Sequence, residues 1–257
     1  MTVSLTMSTL VFEVLWEALR LPLMPVFLAV DQHGVDEEER RRYVAEAEAE
    51  MARSRLGTLR EVEPELADLL EILGRHGRGL GWREMSGQRR RAYVAARGPV
   101  AAGALIDGEQ VSLSSLHSDH MTTWFLNLLP EARSGVGSAY SIPTDVYQRG
   151  VQLAVDGKGS VAQRSWLRSA GVRGDQANQL EVLTRTTLTT AAISVHRGKY
   201  GEAKLIGSLA YTDTTQGRYL LLQRPDNAGN SYTTIIPADT RVIRHHITGL
   251  MEPSGPY

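Results

Sequence analysis

Hydrophobic and polar positions follow two different periods along this chain. Val11, Val14 and Leu15 are spaced three and four residues apart, which places them on one face of a helix. From Gly79 onward apolar and polar residues alternate, which is the period of a strand with one buried face. Because both periods occur, the pattern predicts a protein with helices and strands.

The first half of the chain is predicted to contain an edge strand, three helices, four strands and a further helix. The edge strand spans residues 2–6, and the helices span residues 8–19, 35–56 and 65–74, with the apolar run 26–30 as a short buried strand or extended segment between them. The four strands span residues 80–85, 91–97, 101–106 and 110–116. Ser118 or Asp119 then caps a helix that ends at Pro130.

The second half repeats this order of elements. Its helices are predicted over residues 144–155, 161–170 and 175–186, and its strands over residues 188–197, 203–212, 219–224 and 231–236, followed by a helix that Asp239 caps. We therefore expect pseudo-repeat halves of about 1–133 and 144–257, joined by a Gly/Ser/Pro linker near 134–143. A coincidence of two similar element strings is the alternative. If the repeat holds, two antiparallel half-sheets join into one sheet in an α+β fold.

Composition narrows the classes of function. The formal net charge is -1 and there is no cysteine. The absence of a basic excess argues against a nucleic-acid partner, and the absence of thiols excludes disulfides and thiolate metal sites. The apolar segment 11–30 is interrupted by Glu13, Glu17, Pro22 and Pro25, so we expect neither a signal peptide nor membrane insertion. The expected location is cytoplasmic.

The histidine and glycine motifs give weak support for chemistry. His117 and His120 lie within one helical turn, but no third metal ligand has a defined spacing, so a helix cap is the favoured interpretation. Neighbouring His245 and His246 point apart on a helix. The glycine-rich runs 77–81 and 157–160 lack the order of a phosphate loop. The sequence therefore predicts no metal, no cofactor and no catalytic residue.

A hydrolase with a dispersed Ser/His/Asp site stays open as the alternative function, since the members of a triad can lie far apart in sequence. It requires His117, His196 or His245 to meet both an acid and a hydroxyl. A third alternative, a nucleic-acid module, would use the arginines at positions 89–91.

Two basic runs differ in their surroundings. The arginines at 40–42 lie among glutamates on a helix, where ion pairs one turn apart neutralise them. Arg89, Arg90 and Arg91 follow Gly87 and Gln88 on a hairpin loop with no acid close after Glu84, and such a loop attracts an acidic partner. A merely exposed loop is the alternative interpretation.

Several motifs, in their order along the chain, resemble the EspG family of chaperones in type VII (ESX) secretion of actinobacteria. They are Leu21-Pro22-Leu23, the charged helix after Gly34, the strand over residues 92–97 with its Asp107-Gly108 hairpin, Leu128-Leu129-Pro130, the segment 211–214 with Gly217-Arg218-Tyr219, and Pro237-Ala238-Asp239. The resemblance covers nearly the whole chain. It implies a quasi-two-fold repeat with a central antiparallel sheet and two α-helical bundles, and it implies no enzyme and no cofactor.

The resemblance further implies a chaperone that keeps a PE–PPE-like or WXG-type secretion substrate soluble by capping its hydrophobic helical tip. It also allows a homodimer when the chaperone is free. It places binding on the sheet face, on the basic loop 86–90 and on the C-terminal bundle. The candidate partner-binding residues are Gly87, Gln88, Arg89, Arg90, Tyr93, Trp166, Tyr211 and Tyr219. For each aromatic residue a place in the core is the alternative interpretation.

Overall fold

The computed structural model describes residues 4–86, 90–199, 203–225 and 229–252, and its strands there form one antiparallel sheet. In chain order they are β1 (Ser4–Ser8), β2 (Arg78–Glu84), β3 (Arg91–Arg97), β4 (Val100–Asp107), β5 (Gln110–His117), β6 (Tyr140–Pro143), β7 (Thr187–Arg197), β8 (Lys204–Thr214), β9 (Gly217–Pro225) and β10 (Ser231–Pro237). Their order across the sheet is β1-β5-β4-β3-β2-β7-β8-β9-β10-β6. The two halves of the chain therefore meet at β2 and β7.

Helices cover both faces of the sheet. They are α1 (Thr9–Ala18), α2 (Glu37–Ser54), α3 (Pro64–Gly74), α4 (Met121–Leu126), α5 (Thr144–Val155), α6 (Ser160–Ser169), α7 (Gly174–Arg185) and α8 (Thr240–Met251). The N-terminal bundle α1–α3 and the C-terminal bundle α5–α7 pack on one face, near opposite ends of the sheet, over separate cores. The helices α4 and α8 pack on the other face over a third core. No helix in the described ranges is long and apolar enough to span a membrane.

The two halves place matching elements in matching order. A strand, a three-helix bundle, four strands and one helix follow each other from β1 to α4, and again from β6 to α8. The predicted fold class, an α+β quasi-two-fold repeat with a central antiparallel sheet and two bundles, is confirmed. The division of the chain at residues 134–143 stays a prediction; within that segment, residues 140–143 form the edge strand β6.

Local signals placed most helix starts correctly. The Ser8 hydroxyl accepts a hydrogen bond from the Val11 amide, and the carboxylates of Asp36 and Asp239 accept amide hydrogen bonds at the starts of α2 and α8. Each cap satisfies amides that have no partner within the helix, which is why these residue types were predicted there.

Two predictions of local structure were wrong. The apolar run 26–30 forms no strand, because Leu28 folds back in a turn on Pro25 and its side chain is buried in the N-terminal core. The helix predicted after Ser118 begins instead with a short 3-10 turn, capped by the His117 imidazole, and α4 ends at Leu126. In both places tertiary packing overrides the local pattern.

Candidate functional site

A strip of the sheet remains uncovered between the N-terminal and C-terminal bundles. Strand pairing places its side chains in two rows on the bundle face, one from Arg83 through Ala192 to Ala210 and the other from Gly81 through Ser194 to Ser208. These six residues are called the sheet trough below. Ala192 and Ala210 are half-buried and Arg83 and Ser208 are exposed, whereas Gly81 and Ser194 are buried, so the open part of the strip lies toward β8.

The floor of the sheet trough is made of small side chains, and larger ones stand on either side. Phe27 lies over Gly81, where an added Cβ would be 2.5 Å from the ring. On the far side Leu221, which pairs with Ala210, packs against the core of the C-terminal bundle. Three strand spacings separate β2 from β9, or about 14 Å. A helix about 10 Å in diameter fits that width.

The hairpin between β2 and β3 marks one end of the sheet trough. The Ser86 hydroxyl accepts a hydrogen bond of 3.0 Å from the Thr190 amide, and Met85 is 64% exposed. Arg90 lies 3.4 Å from the Asp107 carboxylate and over the Trp82 ring. The neighbouring candidates Gly87, Gln88 and Arg89 lie outside the described residues, so their role stays a prediction.

Two arginines stand directly opposite each other beside this hairpin. Arg83 of β2 pairs in register with Arg91 of β3, and both belong to the face that carries Gly81. Neither guanidinium forms an ion pair with a described residue, and Arg91 Nε is buried without a hydrogen-bond partner. Burial and the Arg83 charge lower the pKa of Arg91, whereas Asp31 acts in the opposite direction.

The C-terminal bundle presents apolar side chains around its α5–α6 turn. Trp166 is 38% exposed on α6, and Val155 and Val161 are each 74% exposed. The bundle is held from inside by Gln163, which is fully buried and donates hydrogen bonds to the Gly150 carbonyl and the Thr184 hydroxyl. These contacts join the three helices, so the exposed side chains stand on a fixed support.

Three predicted contact residues lie in the core, which corrects their assignment to the surface. The exposed fractions of Tyr93, Tyr211 and Tyr219 are 1% or less. The Tyr93 hydroxyl hydrogen-bonds His76 Nε2 at 2.7 Å, and the Tyr211 hydroxyl accepts a hydrogen bond from the Trp82 indole. Burial raises the pKa of all three phenols, that of Tyr211 to about 12. The alternation of the strands had allowed either face for them.

Arg218 is the feature that the sequence did not reveal. Its side chain is fully buried and forms two hydrogen bonds, 2.6 and 2.8 Å long, with the Asp213 carboxylate. It also donates to the Pro130 carbonyl at 2.8 Å and lies 4.3 Å from the Tyr211 ring centre. The backbone of this turn is bonded by Thr214 rather than by Asp213, because the Thr214 hydroxyl donates to the Gly217 carbonyl and accepts from the Gln216 amide.

A cavity lies between the N-terminal bundle and the sheet, apart from the sheet trough. It measures about 310 Å³, and its lining includes Pro22, Phe27, His76, Tyr93 and His196. Burial lowers the pKa of both histidines. His196 Nε2 lies 3.0 Å from the Ser194 hydroxyl, but no acidic residue among those that the structure describes lines the cavity.

The other two histidines of the alternative hydrolase hypothesis also lack a complete set of catalytic partners. His117 Nδ1 is 3.3 Å from the Asp119 carboxylate on an exposed turn, and His245 packs against His246. Among the described residues, none of these three histidines contacts both a hydroxyl and an acid. No group of side chains in the same ranges could hold a metal ion. No observation favours the hydrolase.

Comparison with known proteins gives a match to a family model and matches among solved structures. A model of the EspG family matches residues 8–249. Curated protein sequences give no match. Among solved structures, the chain matches a structure of the Mycobacterium tuberculosis type VII secretion system chaperone EspG5 in complex with a PE25–PPE41 dimer, with a TM-score of 0.71, 15% sequence identity and 99% of both chains covered. At this identity the structural match shows a shared fold.

Proposed function

The chain belongs to the EspG family, and from that premise we propose that it is a chaperone of a type VII secretion system with a PE–PPE-like client. It holds the client soluble by covering the hydrophobic tip of the client's helices. The solved structure that shares its fold is a complex of the chaperone EspG5 with a PE25–PPE41 dimer. We place the protein in the cytoplasm, where such a client is made, and propose no catalytic step for it.

The observation that carries this proposal is the uncovered sheet trough between two helical bundles. A stable protein rarely leaves the middle of a sheet half-open, because buried apolar area is its main source of stability. Small side chains at Ala192, Ser208 and Ala210 let a partner helix approach the strands closely. Strands form a rigid floor, so the client helix meets a preformed surface and little ordering is needed on binding.

The C-terminal bundle supplies the second part of the proposed interface. Trp166 is large and has few rotamers, and such residues carry much of the binding energy at interfaces. Val155 and Val161 are further exposed apolar residues of this bundle. The loop 87–89 is proposed to contact the client at the hairpin end of the sheet trough, whereas Arg90 lies over the Trp82 ring on the opposite face of the sheet.

Co-expression tests this proposal. The chain is produced together with each PE–PPE pair and each WXG-type protein of its own genome, and complexes are separated by size-exclusion chromatography with light scattering. We expect one PE–PPE pair to co-elute with the chaperone at a mass below that of the client's aggregates. Failure of every pair to co-elute would overturn the proposal. The mass of the free chain also tests whether it forms a homodimer.

A further inference from the structure

Arg83 is exposed and Arg91 is half-buried, and neither forms an ion pair with a described residue, unlike three other arginines of this protein. Arg40 is paired with Glu13, Arg164 with Glu181, and Arg218 with Asp213. Arg83 and Arg91 have instead an arginine directly opposite, and like charges in that position destabilise a sheet. Arg78 and Arg197 are also opposed, on β2 and β7, but the Arg197 guanidinium donates to the Met251 and Glu252 carbonyls. An arrangement that weakens the free protein suggests a use in the bound state.

The position of the two arginines defines what they can bind. In register Arg83 is next to Ala192, whose methyl group leaves the space above the sheet trough open to the guanidinium. Each guanidinium offers a planar fork of donors that matches a carboxylate. Directly opposite residues in a sheet have their Cβ atoms about 5 Å apart. Acidic residues one turn apart on a helix have Cβ atoms about 5–6 Å apart, which is nearly the same spacing.

We propose that Arg83 and Arg91 bind two acidic side chains, one helical turn apart, on a client helix that crosses the strands at the hairpin end of the sheet trough. This inference rests on the proposed chaperone function and adds the chemistry of the client to it. The carboxylates add to the attraction that Asp31 already exerts on Arg91, so client binding offsets the repulsion and forms charge-assisted hydrogen bonds. The pair thereby selects clients with acids in that position over clients with neutral or basic residues there.

The test uses the PE–PPE pair recovered by co-expression. Its affinity is measured by isothermal titration calorimetry at low and high salt, for the wild type, for Arg83→Glu combined with Arg91→Glu, and for the control Arg60→Glu in the exposed loop between α2 and α3. We expect the double reversal to weaken binding about tenfold or more at low salt, with a smaller loss at high salt. The control should bind like the wild type.

A neutral variant separates recognition from structure. Arg83→Gln removes the repulsion, so the free chaperone should melt at an equal or higher temperature while it binds the client more weakly. If Arg83→Gln melts lower, the arginine has a structural role and the inference is wrong.

Two results distinguish this inference from the function on which it rests. An unchanged affinity of the double reversal, with the wild type still bound to its client, would overturn the acidic recognition alone. If the wild type binds no PE–PPE pair, the proposed chaperone function is wrong, and the inference fails with it. Changing the client's two acids to arginine should restore binding to the double reversal and to no other variant.

Discussion

Arg218, whose side chain is fully buried, holds the partly buried Asp213 across the β8–β9 hairpin with two hydrogen bonds. The backbone of Arg218 makes three further hydrogen bonds: its amide donates to the Arg133 carbonyl, and its carbonyl accepts from the amides of Gly135 and Ala238. The hairpin, the segment after α4 and the start of α8 therefore meet at one residue. Most of the motifs behind the family resemblance in this half converge there.

Removing one partner of this pair should destabilise the protein strongly. Asp213→Asn leaves a buried guanidinium without a compensating charge, and we expect a loss of about 3–5 kcal/mol in the free energy of unfolding. Urea denaturation followed by circular dichroism measures it. The matched control is Asp175→Asn, which breaks an exposed pair with Arg173 and should cost less than about 1 kcal/mol. Equal effects of the two changes would contradict a structural role for the buried pair.

Filling the sheet trough should block client binding and leave the fold intact. Ala210→Trp adds an indole where the floor is half-open, so a client helix can no longer approach the strands. We expect affinity for the co-eluting PE–PPE pair to fall about tenfold or more through steric exclusion. Ala52→Trp on the exposed side of α2 is the control. Full binding by Ala210→Trp with an unchanged melting temperature would place the interface elsewhere.

Trp166 should contribute to binding more than to folding. Because its side chain is part exposed on α6, Trp166→Ala should weaken the client complex by about 2 kcal/mol, or roughly thirtyfold, as at other interface tryptophans. The melting temperature should change little. Val100→Ala, an exposed apolar residue at the start of β4, is the comparison. Surface plasmon resonance measures both, and the proposal loses support if the two variants bind alike.

Stability should fall as the pH drops below about 6.5, the ordinary pKa of histidine. Burial lowers the pKa of His76 and His196 in the folded protein, so the unfolded chain binds protons first on acidification. Below pH 6.5, each histidine that stays neutral in the folded protein lowers the free energy of unfolding by at most about 1.4 kcal/mol for each pH unit of acidification. Above pH 6.5 this dependence is absent.

Urea midpoints between pH 7.5 and 5 measure this slope. The variants His76→Gln and His196→Gln should each flatten it, whatever their effect on stability at pH 7.5. The exposed His120, changed to Gln, is the control. A slope that neither variant alters would mean that other groups control the acid sensitivity.

The sequence by itself determined the local structure of this protein. Ser8, Asp36 and Asp239 cap helices because their side-chain oxygens accept from nearby amides. Alternation predicted the eight central strands, β2–β5 and β7–β10, to within a few residues, because the period of a pleated strand does not depend on its neighbours. The repeated order of these elements, and the motifs within it, led to the fold class and the family before any contact was known.

Tertiary structure decided which surfaces are covered. Alternation shows that a strand has two faces, but it does not show which face a distant helix covers, so Tyr93, Tyr211 and Tyr219 were candidates for the surface and lie in the core. The pairing of Arg83 with Arg91 depends on strand register, and the sheet trough depends on where the two bundles end. These relationships join residues far apart in sequence, and only the packing of the whole chain fixes them.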